Sequence, residues 1–365
     1  MGFNCGILGL PNVGKSTLFN ALTSTQIAES KNYPFCTIEP NIGKVMVKDK
    51  RLDRISEISK SQKKIYNRLE FVDIAGLVKG ASKGEGLGNK FLGNLNNVDA
   101  IIHIVRCFED TNITHVNSRI DPINDIEIIE TELLLSDLNK VNNALENLLK
   151  KSKGNSEDKI KIEILNGVKE NLSQGKILRD IEFNADEKKI IKEFSFLTLK
   201  PFIYVCNLDE NSIETGNKFS KTVIEYAKNR KIDYLKVSAS IESQISQIEN
   251  YDERIEYLNS INIRESSLDK LIKKGYKLLD LITFFTSGPK ESRAWSVKEK
   301  SSAPEAAAKI HTDFQKGFIR AETISYKDFI KFNGESGAKE AGRVRQEGKD
   351  YLVEDGDIIT FRFNV

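Results

Sequence analysis

Residues 9–17 read Gly9-Leu10-Pro11-Asn12-Val13-Gly14-Lys15-Ser16-Thr17 and fit the pattern G-x-x-x-x-G-K-[ST] of a phosphate-binding loop. The motif follows the apolar run 3–8 and precedes residues 17–22, whose composition favours a helix, so it lies at a strand-to-helix junction. There the glycines let backbone N–H groups surround phosphate oxygens, and the helix dipole favours an anion. The motif therefore predicts a nucleotide site, with Lys15 reaching the β- and γ-phosphates and the Ser16 hydroxyl binding Mg²⁺.

A second nucleotide motif, Asp73-Ile74-Ala75-Gly76, ends another apolar run. A carboxylate at this point holds Mg²⁺ directly or through water, and the Gly76 N–H senses a γ-phosphate. Thr37 stands in an earlier loop from which its hydroxyl would reach Mg²⁺; an ordinary loop threonine is the alternative, and both stay open. Residues 76–88 have glycine at five of thirteen positions, which predicts a loop that nucleotide orders and hydrolysis releases.

Short, nearly continuous apolar runs recur along the chain and predict strands that are covered on both faces of a mainly parallel sheet. The runs are residues 3–8, 70–75, 100–105, 201–206 and 234–238. Alternation of such strands with helices is typical of a doubly wound α/β fold.

Two stretches depart from this alternation. Apolar side chains at spacings of four and three predict an inserted helical hairpin; they are Leu134, Leu138, Val141, Leu145 and Leu148. From residue 281 onwards, strands and a capped helix predict a small α+β domain. We therefore expect a nucleotide-binding domain at 1–125 and 199–280, a hairpin at 126–198 and a C-terminal domain at 281–365.

Composition narrows the functional classes. The chain has 365 residues, 39% of them apolar and 30% charged, with a net charge of +2, so nucleic-acid binding requires local patches rather than a general positive field. No apolar run approaches the roughly 20 residues that span a bilayer, and the start of the chain has no secretory pattern. The four cysteines are scattered and lack metal-binding spacing. We expect a cytoplasmic monomer that binds neither membranes nor specific DNA sequences.

Three stretches carry a resemblance to a known family. They are the phosphate loop, the sequence Asp-Ile-Ala-Gly-Leu-Val-Lys-Gly-Ala-Ser-Lys-Gly-Glu-Gly-Leu-Gly-Asn from residue 73, and Tyr-Pro-Phe-Cys-Thr-Ile-Glu-Pro-Asn from residue 33. Together they resemble the YchF family of Obg-like ATPases, which are TRAFAC-class P-loop NTPases, and the similarity extends over the whole chain. The resemblance implies a P-loop NTPase fold with a helical insertion and a C-terminal β-grasp domain of the TGS type. It also implies a Mg²⁺-dependent ATPase that switches with nucleotide state on ribosomes or translation complexes.

The base-recognition motif departs from that of GTPases. In N-K-x-D, the aspartate accepts two hydrogen bonds from guanine, whereas this chain has Asn207-Leu208-Asp209-Glu210. Adenine offers one donor and one acceptor on that edge, so a guanine clamp does not suit it. The resemblance therefore implies ATP, with base contacts from Asn207, Leu208, Glu210, Ser238 and Ala239. A shifted register that uses Asp209 to bind GTP stays open.

The residue expected to activate water also differs from that of GTPases. Leu77 stands where a glutamine usually follows D-x-x-G, and leucine cannot orient a water. Of the three histidines, His115 lies in a loop beyond a strand, where a side chain can reach a γ-phosphate. The resemblance implies that His115 is catalytic, together with Lys15 and Gly76; from the sequence alone, a surface loop histidine is the alternative. A GTPase translation factor and a largely non-catalytic ATP-binding module are the competing functions.

Two further features have two interpretations each. Asn12 resembles the asparagine of NTPases that bind K⁺ near the β- and γ-phosphates, or it caps the loop. Lysines near the tip of the predicted hairpin would contact rRNA phosphates, or they form a solvated helix face; they are Lys140, Lys150, Lys151, Lys153, Lys159 and Lys161. The expected nucleotide contacts of the phosphate loop are Asn12, Val13, Gly14, Lys15, Ser16 and Thr17.

Overall fold

The protein was analysed as a computed structural model, which describes residues 3–30, 41–74, 87–110, 119–151, 156–248 and 250–364. The chain forms two compact units. The first contains Met1–Lys44 and Glu70–Leu271, and the second contains Val45–Leu69 and Ile272–Val365.

A six-stranded sheet forms the centre of the first unit. Its strands are β1 Asn4–Leu8, β2 Ile42–Val47, β4 Asn67–Asp73, β5 Ala100–Arg106, β6 Phe202–Asn207 and β7 Asp233–Val237, in the spatial order β2-β4-β1-β5-β6-β7. The neighbours from β4 to β7 pair in parallel, and every residue of β5 and β6 is buried. The apolar runs are thus explained by strands covered on both faces, and the predicted doubly wound, mainly parallel sheet is confirmed.

Helices lie between these strands and beyond the last of them. They are α1 Lys15–Ser30, α3 Leu87–Asn96, α4 Pro122–Lys151, α5 Ser156–Ser173, α6 Ala185–Lys192, α7 Lys218–Asn229, α8 Ala239–Gln247, α9 Tyr251–Ser260 and α10 Ser267–Leu278. Short 3₁₀ turns occur at Leu178–Asp180, Leu197–Leu199 and Glu210–Ser212. Because the strands are parallel, the loops at their carboxyl ends meet at one edge of the sheet, which is where ligands bind in this fold class.

The inserted hairpin consists of α4 and α5, whose apolar faces share a core that continues into the segment before β6. Leu134, Val141 and Leu145 are buried in this core, while Leu138 and Leu148 are partly buried. The hairpin is attached at its base by the buried Asp137, which accepts hydrogen bonds from the backbone of Leu197 and Thr198 and from the Thr198 hydroxyl, at 2.7–2.8 Å.

The second unit contains another six-stranded sheet. Its strands are β3 Lys63–Ile65, β8 Leu281–Thr286, β9 Glu291–Lys298, β10 Phe318–Ile324, β11 Arg345–Glu347 and β12 Ile358–Phe363, in the spatial order β11-β10-β12-β8-β9-β3. Its helices are α2 Lys50–Ile58, α11 Ala303–Ile310, α12 Thr312–Lys316, α13 Tyr326–Lys331 and α14 Glu335–Glu340.

The division of the chain differs from the sequence-based boundaries in two segments, a long one at residues 45–69 and a short one at residues 272–280. Residues 45–69, which the sequence pattern assigns to the nucleotide-binding domain, group with the C-terminal unit. The physical reason is that β3 pairs in parallel with β9, and that Leu52 and Ile55 of α2 are buried in a core shared with Phe285. The second sheet is therefore completed by a strand from the first fifth of the chain.

Candidate functional site: a nucleotide pocket

The phosphate loop lies between β1, the third strand in the order of the sheet, and the first residue of α1, Lys15. Two residues of the loop have left-handed backbone, Asn12 with φ of 63° and Gly14 with φ of 89°. A Cβ atom on Gly14 would lie 2.2 Å from the Asn207 amide nitrogen, so this position requires glycine both for its backbone angle and for the close approach. The local sequence thus fixes the curled shape that exposes backbone N–H groups to an anion.

The two nucleotide motifs meet at the carboxyl ends of β1 and β4. These strands are adjacent and parallel, with Ile7 opposite Asp73, and the Lys15 ammonium donates a hydrogen bond to the Asp73 carboxylate. Both side chains are largely buried, 10% and 15% exposed, whereas Ser16 and Thr17 are exposed on the first turn of α1. A buried cation, a carboxylate and an exposed hydroxyl are therefore grouped at the start of the helix.

Asn207 connects the phosphate loop to the loop after β7. Its amide nitrogen donates to the Val13 carbonyl at 2.8 Å, and its amide oxygen accepts from the Ala239 backbone N–H at 3.0 Å. The side chain is 4% exposed, and the neighbouring Ser238, which caps α8, is fully buried. The structure therefore shows Asn207 bracing two loops of the site through both ends of its amide group; a direct contact between Asn207 and the base stays a prediction.

A cavity of about 690 Å³ begins at the phosphate loop and extends along the loops after β5, β6 and β7. Its lining includes these predicted site residues: Asn12, Gly14, Thr17, Asn207, Leu208, Glu210 and Ala239. The volume lies within the range of about 300–1,000 Å³ that small-molecule sites occupy. Glu210 is exposed in this cavity, while Leu208 is buried and its backbone N–H donates to the Val237 carbonyl.

Sequence reasoning missed part of the cavity lining, namely Phe108, Glu109, Asp110, Ser240, Ser243 and Gln244. Phe108 and its neighbours directly follow β5, and Ser240 to Gln244 lie on the helix that follows β7. Their position in the sequence could have indicated them, because residues that follow the carboxyl ends of parallel strands contact the ligand in this fold class. The backbone around Phe108 is held by the buried Arg106, whose guanidinium lies 4.6 Å from the Phe108 ring centre and donates to its carbonyl.

Several predicted site residues lie outside the described part of the chain. They are Thr37, Gly76 and His115, together with Leu77 and the five-glycine stretch up to residue 86. Their roles stay predictions.

The hairpin lysines are less available than their sequence positions suggested. The Lys140 ammonium donates to the Asn96 side chain and to the Ser195 carbonyl, each at 2.8 Å, and so lies at the base of the hairpin rather than its tip. Lys150 pairs with Glu146, and Lys161 pairs with Glu157 and Glu193. These acidic partners reduce the positive charge that this surface could present to RNA.

A parallel sheet whose central strand leads through a glycine-dependent phosphate loop into a helix places this chain among the P-loop nucleoside triphosphatases. Two family models agree with that class. One, described as a 50S ribosome-binding GTPase, matches residues 4–151, and the other, YchF-GTPase_C, described as a protein of unknown function (DUF933), matches residues 281–364.

The full-length relatives identify the family. The chain is 52% identical to the Ribosome-binding ATPase YchF of Haemophilus influenzae and 49% identical to that of Bacillus subtilis, with 100% of each chain covered. It matches the solved structure of the Schizosaccharomyces pombe YchF GTPase with a TM-score of 0.89 and 37% identity, over 99% of this chain and 98% of the other. The chain belongs to the YchF family, as the resemblance implied. Within the described ranges, none of the helices has the length and apolar character needed to cross a membrane.

Proposed function

We propose that this protein is a Mg²⁺-dependent ATPase that hydrolyses ATP to ADP and phosphate and uses its nucleotide state as a switch on ribosomes or translation complexes. The observation that carries the proposal is the continuity of the cavity, which joins the phosphate loop at Gly14 and Thr17 to Glu210 at the base end. A triphosphate bound by the loop would therefore extend its base towards a carboxylate. Bacterial relatives over the full length are named ribosome-binding ATPases, which supports both halves of the proposal.

The start of α1, beside the phosphate loop, offers oxygen ligands that suit Mg²⁺. Ser16 offers an exposed hydroxyl and Asp73 a carboxylate at 15% exposure, and oxygen ligands of this kind are the ones that Mg²⁺ prefers. The described residues contain no group of three or more His, Cys, Asp or Glu side chains able to hold a metal, but nucleotide-bound Mg²⁺ needs only one or two protein oxygens. When bound, the ion neutralises charge on the phosphates. In this proposal Thr37 adds a hydroxyl, Gly76 donates its N–H to the γ-phosphate, and Lys15 binds the β- and γ-phosphates.

The base end of the cavity favours ATP over GTP. The GTPase alternative requires Asp209 to act as the guanine clamp, and the Schizosaccharomyces pombe relative, which is named a GTPase, favours that alternative. The Asp209 carboxylate, however, accepts a hydrogen bond from the Ser212 backbone N–H at 3.0 Å and so caps the 3₁₀ turn after β6. This cap occupies one oxygen of Asp209, which is partly buried, whereas Glu210 is exposed in the cavity that both residues line, so Glu210 is the better candidate for base recognition.

The decisive experiment is a titration of the purified protein with fluorescent ATP and GTP analogues, followed by hydrolysis assays of both nucleotides with and without Mg²⁺. We expect tighter binding and faster turnover of ATP, and turnover only with Mg²⁺. A clear preference for GTP would overturn the base assignment.

Turnover in K⁺ compared with Na⁺ tests Asn12, since a cation held near the β- and γ-phosphates would make K⁺ the better activator.

In this proposal His115 acts in hydrolysis, as the family resemblance implies, since Leu77 cannot orient a water. His115→Ala is expected to lower ATP turnover at least about a hundredfold, the low end of general acid–base contributions, while leaving ATP binding near wild type. The matched control is His311→Ala, which replaces an exposed histidine of the second unit. Unchanged turnover in His115→Ala would remove this residue from the mechanism, and negligible turnover by the wild-type protein would favour a non-catalytic ATP-binding module.

The switch is proposed to act in the cytoplasm, through the three-part organisation of nucleotide domain, hairpin and β-grasp domain. Co-sedimentation with ribosomes in ATP, ADP and no nucleotide, at two salt concentrations, tests the partner. We expect binding that depends on nucleotide and weakens with salt. Binding that ignores both would contradict a nucleotide-controlled contact with RNA.

A further inference from the structure

A short series of hydrogen-bonded side chains contacts Glu210. The Ser240 hydroxyl donates to Glu210 Oε1 at 2.5 Å, and the Gln244 amide nitrogen donates to the same oxygen at 2.9 Å. The Tyr257 hydroxyl in turn donates to Gln244 Oε1. Ser240 and Gln244 lie one turn apart on α8, and Tyr257 lies on α9.

The direction of these hydrogen bonds follows from the chemistry of the groups. An ionised carboxylate only accepts, so the nitrogen of the Gln244 amide must face Glu210. The amide oxygen then faces α9 and needs a donor, which the Tyr257 hydroxyl supplies. With the amide turned round, two oxygens would face each other at Glu210, so Tyr257 stabilises the one arrangement in which Gln244 can donate to the carboxylate.

The support for this series is rigid. Ile241 and Ile245 of α8 are buried in one small core with Leu258 of α9, the residue next to Tyr257. The spacing of the two helices is therefore set by apolar packing that is independent of the polar contacts on the cavity side. Glu210, Ser240 and Gln244 all line the 690 Å³ cavity, so the carboxylate they hold faces the ligand space.

Both hydrogen bonds go to the same oxygen of Glu210, and this has a consequence for base choice. A guanine clamp uses both carboxylate oxygens, one for the N1–H group and one for the N2 amino group. With Oε1 already accepting from Ser240 and Gln244, Oε2 remains for the base, and a single acceptor suits the single N6 amino donor of adenine. We propose that Ser240, Gln244 and Tyr257 are positioning residues that favour adenine over guanine by occupying one oxygen of Glu210. This inference rests on the proposed ATPase function.

The test is the ratio of ATP to GTP affinity in Gln244→Leu and Tyr257→Phe, measured by titration with fluorescent nucleotide analogues. Gln244→Leu removes one of the two donors to Oε1 and leaves the Ser240 hydroxyl in place, so that oxygen becomes partly available. We expect weaker ATP binding, tighter GTP binding and a fall of about fivefold in the ratio, the size of one net hydrogen bond. Tyr257→Phe is expected to change the ratio in the same direction by a smaller factor. Inorganic triphosphate serves as a probe without a base, and its affinity is expected to stay at the wild-type value in both variants.

Gln247→Leu is the matched control, because Gln247 is an exposed glutamine at the end of the same helix and outside the cavity lining. Its ATP to GTP ratio is expected to equal that of the wild type. A wild-type preference for ATP that survives unchanged in Gln244→Leu would overturn this inference alone. A wild-type preference for GTP would overturn the proposed ATPase function, and the two failures are therefore distinguishable. A loss of triphosphate affinity in Gln244→Leu would show general damage to the site and would also contradict a role confined to the base.

Discussion

The amide of Asn207 holds together the phosphate loop and the loop after β7, and removing it is expected to weaken both the fold and nucleotide binding. Asn207→Ala deletes two hydrogen bonds, to the Val13 carbonyl at 2.8 Å and from the Ala239 N–H at 3.0 Å. Each is worth about 0.5–1.5 kcal/mol net, and a buried partner left without a bond costs about 1–3 kcal/mol. Because the side chain is 4% exposed, water cannot easily replace the amide, and we expect a loss of about 2–4 kcal/mol of unfolding free energy.

Two measurements check this expectation. Urea unfolding followed by circular dichroism gives the stability, and ATP titration gives the affinity, which should fall at least about tenfold because the loops at both ends of the cavity lose their connection. The control is Asn171→Ala, which deletes one hydrogen bond to the Gly167 carbonyl on α5 of the hairpin and should leave ATP affinity unchanged. An Asn207→Ala protein with wild-type affinity and less than about 1 kcal/mol of destabilisation would refute the bracing argument.

Three further substitutions test other parts of the first unit. Gly14→Ala combines left-handed strain with a Cβ atom 2.2 Å from the Asn207 amide and should lower ATP affinity at least about tenfold, whereas Gly175→Ala, with φ of 76° and open space around it, should leave ATP affinity unchanged in the same titration. Burial, with a smaller contribution from Arg179, lowers the pKa of His103 to about 3. The unfolded chain therefore binds the extra proton first, and His103 should contribute a loss of about 1.4 kcal/mol per pH unit from about pH 6.5 towards 3, measured as the difference between wild type and His103→Leu in urea unfolding. Lys200→Met removes the ammonium that donates to the carbonyls of Leu95, Asn96 and Val98 and should cost about 2–3 kcal/mol in urea unfolding, and a change below about 0.5 kcal/mol would contradict this.

The sequence was informative where a function depends on consecutive residues. The phosphate loop, the Asp73 motif and the strands around them could be predicted because local pattern and apolar runs determine them, and Lys15 and Asp73 do meet. The role of Asn207 as a brace could not be predicted, since it depends on three strands ending at one edge of the sheet. Gln244 and Tyr257 were missed for the same reason: polar residues on surface helices have no signal of their own until the helices are placed.

Long-range pairing explains why the domain boundaries differ from the sequence-based ones. The segment 45–69 has no composition that separates it from its neighbours, and it joins the second unit through contacts such as the hydroxyl pair of Ser59 and Ser287, which are 228 positions apart. Contacts with residues distant in sequence also determine where Lys140 lies. Its position in a lysine-rich helix suggested a solvent-facing tip, but its partners Asn96 and Ser195 are distant in sequence.

The ends of β6 carry two attachments that make this strand a direct connection between the hairpin and the nucleotide site. At its amino end, Lys200 donates to carbonyls at the end of α3 and just after it, and the neighbouring residues Leu197 and Thr198 donate to Asp137 of the hairpin. At its carboxyl end, Asn207 braces the phosphate loop. Every residue of β6 is buried between parallel neighbours, so the strand cannot bend independently of the sheet. One strand carries both attachments because the chain returns from the hairpin directly into β6, whose carboxyl end supports the phosphate loop.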